Sequence, residues 1–171
     1  MAGITDITSK TKKKTIILLT GMSGTGKSTV LGELSCRGYE VIDTDYDGWS
    51  IYGEDPRWDH GWIWHEVRMK SLLSEHIKGT LFISGTVSNQ GKFYPYFDSI
   101  VLLSAPLNVM RERIENRTIN NYGKTHEEWK EIVHYKDTVE PLLRDGVNFE
   151  IDTRKPLNQV VDELEKIANT N

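Results

Sequence analysis

One eight-residue stretch constrains this chain more than any other: Gly21-Met22-Ser23-Gly24-Thr25-Gly26-Lys27-Ser28. It satisfies the phosphate-binding pattern G-x-x-x-x-G-K-[ST] at every fixed position. Residues 15–20 before it are a short apolar run of the kind that forms a buried strand, and residues 29–34 after it read as a helix. The glycines allow the backbone to curl so that successive N–H groups point inward at phosphate oxygens. The helix N-terminus adds its partial positive charge. At this spacing Lys27 reaches the outer phosphates and Ser28 can hold a magnesium ion bridging them.

The remaining sequence narrows the class. A length of 171 residues suits one domain with a substantial core. A net charge of −4 disfavours a partner bound through nucleic-acid phosphates. The single cysteine, Cys36, permits no internal disulfide, which fits a reducing cytoplasm, and its expected role is packing. No apolar run approaches the ~20 residues of a membrane span. Residues 1–14 are polar and contain three consecutive lysines, so a flexible tail is expected ahead of a single domain over 15–171.

Strand-like and helical stretches alternate. Apolar runs at 39–45, 81–84, 100–104 and 147–152 read as further strands. Residues 46–62 hold three glycines and a proline and read as loop or short helix, with a helix over 62–76. Residues 85–92 read as a polar loop. Pro106 stands near the start of a helix running to about Arg117, Thr125-His126-Glu127-Glu128 is a capping box, and 156–168 is an amphipathic closing helix. This alternation predicts a parallel sheet covered on both faces, with ligands beyond the C-terminal strand ends.

Several other residues carry candidate chemistry. Asp43 and Asp45, at an extended strand end, point to one side; one can support a metal's water shell while the other accepts a hydroxyl proton. Arg113 and Arg117 share a helix face and suit either phosphoryl charge or a solvated surface paired with Glu112 and Glu115. Trp49, Trp58, Trp62 and Trp64, with Arg57 and Arg68, form an acceptor pocket or pack an irregular segment onto the sheet. Gly85, Asn89 and Gln90 follow the third strand and face either an acceptor or their own turn.

On these motifs the chain resembles P-loop kinases of the nucleoside-monophosphate-kinase and shikimate/gluconate-kinase group. Residues 21–28 resemble the G-x-S-G-S-G-K-S of gluconate kinases. Val41-Ile42-Asp43-Thr44-Asp45 resembles the D-x-D strand of shikimate kinases and the V-I-D-x-D of dephospho-coenzyme A kinases. Ser104-Ala105-Pro106 through Arg113-Ile114-Glu115-Asn116-Arg117 resembles the strand, helix and R-x-x-x-R at the start of the adenylate kinase lid. Three departures stand out: no acid in Ser84-Gly85-Thr86, no Gly-Gly-Gly of shikimate kinases, and no D-x-P-R-like acceptor motif of adenylate kinases.

The resemblance implies a three-layer α/β P-loop NTPase fold with five parallel strands in the order 2-3-1-4-5. It implies an acceptor-binding segment at about 46–78 and a lid at about 114–125. The implied cofactors are ATP and Mg2+. Nucleotide contacts fall to Gly21, Met22, Ser23, Gly24, Thr25, Gly26, Lys27, Ser28, Thr29 and Arg113, with Arg154 and Pro156 at the adenine. Ser28 and Asp43 serve the metal. Lys27, Asp45, Arg113 and Arg117 act on the transferring group. Asp45, Arg57, Trp62, Arg68, Gly85, Asn89 and Gln90 are the acceptor candidates. The expected partner is a small molecule, with the protein a monomer or homodimer. The expected reaction is phosphoryl transfer to a hydroxyl; a nucleoside monophosphate kinase, a polynucleotide 5′-hydroxyl kinase and a nucleotide-binding protein are the alternatives.

Overall fold

A computed structural model of the chain describes residues 13–54 and 61–171. In chain order the elements are β1 (Thr15–Thr20), α1 (Lys27–Cys36), β2 (Glu40–Asp43), β3 (Ser50–Gly53), β4 (Gly61–Trp64), α2 (Glu66–Glu75) and β5 (Thr80–Ser84). A 3-10 helix (Gln90–Tyr96) follows, then β6 (Ser99–Ser104), α3 (Leu107–Asn116), α4 (His126–Thr138), α5 (Glu140–Gly146), β7 (Phe149–Asp152) and α6 (Leu157–Asn169). Five strands form one parallel sheet in the order β2-β5-β1-β6-β7. Counted among themselves these are 2-3-1-4-5, the expected order.

Period-two alternation sorts the strand side chains onto two faces. Ile17, Leu19, Val101, Leu103 and Ile151 face α1 and α6. Ile16, Leu18, Leu81, Ile83 and Ile100 face α2 and the 3-10 helix, with Leu102 beside them under α3, α4 and α5. The sheet is therefore the middle of three layers, and β1, wholly buried, is its central strand.

The structure corrects the sequence reading at several places. Ser50–Gly53 and Gly61–Trp64 pair as an antiparallel hairpin, with Tyr52 opposite Trp62 and Ile51 opposite Ile63. Trp62, Ile63 and Trp64 belong to β4, so α2 starts only at Glu66, behind the cap residue His65. The expected polar loop over 85–92 passes into the 3-10 helix at Gln90. β2 ends at Asp43 and the chain then turns, so Asp45 is not on an extended strand. Cys36 is exposed rather than packed. The expected tail lies mostly outside the described residues, as do Arg57 and Trp58.

The hairpin is fastened to the sheet by a buried knot. Thr44 Oγ1 donates to the Ser84 carbonyl at 2.7 Å and accepts from Trp64 Nε1 at 2.9 Å. Trp64 is fully buried and meets Phe93 edge to face. Its backbone N–H donates to Asn89 Oδ1 at 2.8 Å, and Asn89 Nδ2 donates back to the Trp64 carbonyl at 3.1 Å. Gly85 is glycine because a Cβ there would collide with Thr44 Oγ1. Gly85→Ala should therefore overpack this knot and destabilise the protein by about 1–3 kcal/mol. Thermal unfolding should register this as a fall of roughly 2–4 °C per kcal/mol. An unchanged midpoint would show that Thr44 and Trp64 can yield.

Candidate active site

The phosphate loop, residues 21–28, lies between β1 and α1, with Gly21, Gly24 and Gly26 at φ of 151°, 85° and 96°. A Cβ on Gly21 would run into the Leu103 carbonyl oxygen, and one on Gly24 would stand 2.9 Å from the Met110 carbonyl oxygen. The loop is braced from behind. Thr86, just beyond β5, accepts from Gly21 N–H at 3.1 Å and donates to the Gly21 carbonyl at 2.8 Å. Thr153, just beyond β7, donates to the Thr25 carbonyl at 2.7 Å. Thr25 is fully buried and donates its hydroxyl to the Met22 carbonyl at 2.8 Å.

Lys27 Nζ donates to the carbonyls of Gly21 and Met22, the latter at 3.0 Å. Burial pulls its ammonium below the ordinary lysine value; Asp45 and then Asp43 oppose that pull, and Arg117 adds to it. Ser28 donates to Asp43 Oδ2 at 2.7 Å, and the Asp45 N–H donates to Asp43 Oδ1 at 3.1 Å. Asp45 is an exposed residue in the turn after β2, with its carboxyl held above the ordinary aspartate value. Loss of water around it is the main cause; Lys27 acts against the rise, Asp43 adds to it, and Arg117 again opposes it.

Both arginines converge on the loop. Arg113 donates to the Thr153 hydroxyl at 2.8 Å, the Thr153 carbonyl at 2.7 Å and the Gly24 carbonyl at 3.4 Å. Arg117 is the residue after α3 rather than part of its face; it donates to Ser23 Oγ at 3.3 Å, to the Asn120 carbonyl at 2.8 Å and to the Tyr122 carbonyl. Burial works against the charge of both guanidiniums, and Tyr46 and Asp45 lie close enough to favour that of Arg117. The connection from α3 to α4 is pinned by Lys124, which donates to the Arg117 carbonyl at 2.6 Å, and by Gly123 N–H, which donates to Glu128 at 3.0 Å.

Not every candidate reaches the cleft. Asn89 spends its amide on Trp64. Gln90 accepts from Val87 N–H at 2.9 Å and donates to Thr20 Oγ1 at 3.2 Å and Tyr94 OH at 2.9 Å. Both are buried, and Gly85 is buried beside them. Arg68 lies over the Trp49 ring at 3.8 Å and donates to the Asp47 carbonyl. Arg154 is exposed and paired with Asp152, whose carboxyl it holds down to about 2. Pro156 caps α6. Trp62 is 59% exposed. Sequence reading missed Thr86 and Thr153; each is a hydroxyl placed within two residues of a sheet strand's C-terminal end, the level at which the phosphate loop lies.

A family model described as AAA domain matches residues 17–134, about two thirds of the chain. No curated protein matches the sequence. Among solved structures the fold is similar to a shikimate kinase from Acinetobacter baumannii in complex with shikimate, at 16% identity, a TM-score of 0.60, and 92% of this chain on 94% of that one. It is also similar to a gluconokinase from Sinorhizobium meliloti 1021, at 17% identity, a TM-score of 0.54, and 93% on 96%. A sugar kinase from Janibacter sp. HTCC2649 gives 16% identity, a TM-score of 0.55, and 91% on 95%.

Among the described residues the hydrogen bonds of Lys27 Nζ go to the Gly21 and Met22 carbonyls, and Lys27 lies outside the apolar core. Lys27→Ala should therefore leave thermal unfolding within a few degrees of the parent while removing nucleotide-dependent turnover, because a charge aimed at a developing phosphoryl counts most in the transition state. Near-normal turnover, or a large loss of stability in the ligand-free protein, would contradict this. For Arg117→Ala, turnover should fall by a larger factor than nucleotide affinity, since its contacts join the loop to the 117–125 segment; equal losses would mark it as a ground-state contact.

Proposed function

The chain belongs to the AAA domain family, and from that premise we propose that it transfers the terminal phosphoryl of ATP to a hydroxyl of a small molecule. The observation that carries this reading is the convergence of Lys27, Ser28, Asp43, Asp45, Arg113 and Arg117 at one loop. Residues 21–29 would cradle the phosphates, and 152–156, tied to the loop through Thr153, would flank the base. The shikimate, sugar and gluconate kinases that share the fold support a small-molecule acceptor.

Ser28 and Asp43 fit a magnesium ion held with the phosphates. They are hard oxygen donors, and no described group of three or more His, Cys, Asp or Glu would cage a metal alone. Magnesium bound there would neutralise charge on the outer phosphates. Because the Ser28 hydroxyl donates its hydrogen bond to Asp43, its lone pairs are left to face the ligand. Lys27 and Arg117 would stabilise the transferring phosphoryl. Asp45 would align the acceptor hydroxyl and take its proton. Its raised pKa makes it a stronger base than an ordinary aspartate. Residues 114–125 would act as the lid and 46–78 would bind the acceptor, with Asn89, Gln90 and Gly85 outside the contact set. The acidic neighbourhood of Asp45 and Asp43 favours this over a nucleoside monophosphate acceptor, whose own charge it would repel.

An ADP-release assay over nucleosides, nucleotides, sugars and sugar acids tests the proposal directly. With the acceptor so found, Asp45→Asn should lower turnover by roughly 10²-fold with little change in ATP binding. A base must be ionised to work, so parent turnover should fall on acidification with a limb above the ordinary aspartate value, and Asp45→Asn should lose that limb. A nucleoside monophosphate as best acceptor, or near-normal turnover of Asp45→Asn, would overturn the hydroxyl reading.

A further inference from the structure

Past the last rung of the sheet, one hydroxyl takes the place of a neighbouring strand. β1 pairs with β5 in a register that sets Leu19 against Ser84, and Gly85 N–H still donates to the Leu19 carbonyl at 3.1 Å. Two residues further along each chain, that register brings Gly21 beside Thr86. There the Thr86 side chain takes both backbone groups of Gly21. The Gly21 N–H donates to Thr86 Oγ1 at 3.1 Å, and Oγ1 donates to the Gly21 carbonyl at 2.8 Å.

The protons around this clamp have one direction. A hydroxyl carries a single proton. Thr86 gives its own to Gly21, so at its 3.0 Å contact with Thr20 it accepts, and Thr20 is the donor. Thr20 Oγ1, fully buried, accepts in turn from Gln90 Nε2 at 3.2 Å. Gln90 is itself fixed, accepting from Val87 N–H at 2.9 Å and donating to Tyr94 OH at 2.9 Å. The row from Gln90 through Thr20 and Thr86 therefore points its protons at the Gly21 carbonyl, and bonds aligned in this way polarise one another.

That carbonyl is also where Lys27 is moored. Lys27 Nζ carries three protons and donates to the carbonyls of Gly21 and Met22. Bridging two outer phosphates takes two protons and leaves one for the loop. The Met22 carbonyl is the one to release, because Thr25 already serves it through its hydroxyl at 2.8 Å and its N–H at 3.3 Å. The Gly21 carbonyl then stays as the anchor of the ammonium, and Thr86 decides where that anchor stands. We propose that Thr86 is a positioning residue: by clamping the Gly21 backbone it aims Lys27 at the outer phosphates. The inference rests on the phosphoryl-transfer reading above and adds a residue to it.

The test measures binding of the β,γ-imido analogue of ATP, with magnesium, to the full chain, and needs no acceptor. Thr86→Val keeps the side-chain shape and removes both bonds to Gly21. The dissociation constant should rise roughly tenfold, the size expected when one charge-assisted bond is misplaced. In a Lys27→Ala background the same substitution should change it by no more than about twofold, because the ammonium that Thr86 aims is gone. Thr86→Ser keeps the hydroxyl and should bind within about twofold of the parent. Where binding is too weak to titrate, the rise in unfolding temperature with added analogue gives the same comparison. Thr86→Ala takes the place of Thr86→Val should the latter not fold. An equal loss in both backgrounds shows that Thr86 shapes the loop without acting through Lys27, and overturns the inference. Unchanged binding in Thr86→Val, or Thr86→Ser as weak as Thr86→Val, overturns it too. All three leave the nucleotide site standing. A parent chain that does not bind the analogue removes the phosphoryl-transfer reading and the inference together.

Discussion

The phosphate loop can turn its N–H groups toward a ligand only because its carbonyls are satisfied from the other side. A buried backbone carbonyl without a donor is costly. Here Thr86 and Lys27 serve Gly21, Thr25 and Lys27 serve Met22, Arg113 serves Gly24, and Thr153 serves Thr25. These donors come from the ends of β5 and β7, from α1 and α3, and from the loop itself. The sheet order makes this possible: β1 is flanked by β5 and β6, with β7 one strand further on, so hydroxyls leaving those strand ends lie at loop level. The two close backbone approaches, Gly21 to Leu103 and Gly24 to Met110, have no room for side chains, which explains glycine at both positions.

A second constraint links this loop to the acceptor side. Thr44 lies between Asp43 and Asp45, is fully buried, and is held by Ser84 and Trp64. Its two neighbours are thereby displayed at fixed positions, Asp43 against Ser28 and Asp45 toward Lys27 and Arg117. The same Trp64 ends the hairpin that carries Tyr52 and Trp62. One buried indole N–H therefore ties the hairpin to the residue between the two carboxylates. Every buried side-chain polar atom among the described residues has a partner, so the polar groups gathered here cost little in desolvation.

The parallel sheet, the phosphate loop and the capping box of α4 were legible because each is local or carried by a strong pattern, whereas the strand order followed from the family resemblance. Thr125 and Glu128 form that box as the spacing predicts. The hairpin was not legible. Trp62, Ile63 and Trp64 fit a helical stripe when counted with Val67 and Met69, and only the pairing with Ser50, Ile51 and Tyr52, across a gap that sequence cannot close, favours the strand. Asn89 and Gln90 looked like cleft residues because they follow a sheet strand. Their inward turn depends on a tryptophan 25 residues earlier for Asn89 and on Thr20 for Gln90, contacts with no sequence signature. Thr86 and Thr153 escaped for the opposite reason: a lone threonine after a strand is common, and its role appears only once the loop is seen against it.

The ligand-free arrangement also determines what nucleotide binding must undo. Lys27 is bonded to two loop carbonyls and faces two carboxylates, yet burial still disfavours its charge. A phosphate entering the loop offers that ammonium a full negative charge in place of carbonyl dipoles, and charge-assisted bonds are the stronger kind. Ser28 would keep its bond, since its hydroxyl already donates to Asp43 and its oxygen lone pairs are left for a metal. Asp45 gains differently. Its carboxyl is raised mainly by loss of water, and acceptor binding beside it would exclude more water still, moving its proton affinity in the direction a general base needs. On the function proposed above, each charged group would enter phosphoryl transfer by exchanging a present partner for the ligand, with Thr86 and Thr153 still bonded to the loop from behind.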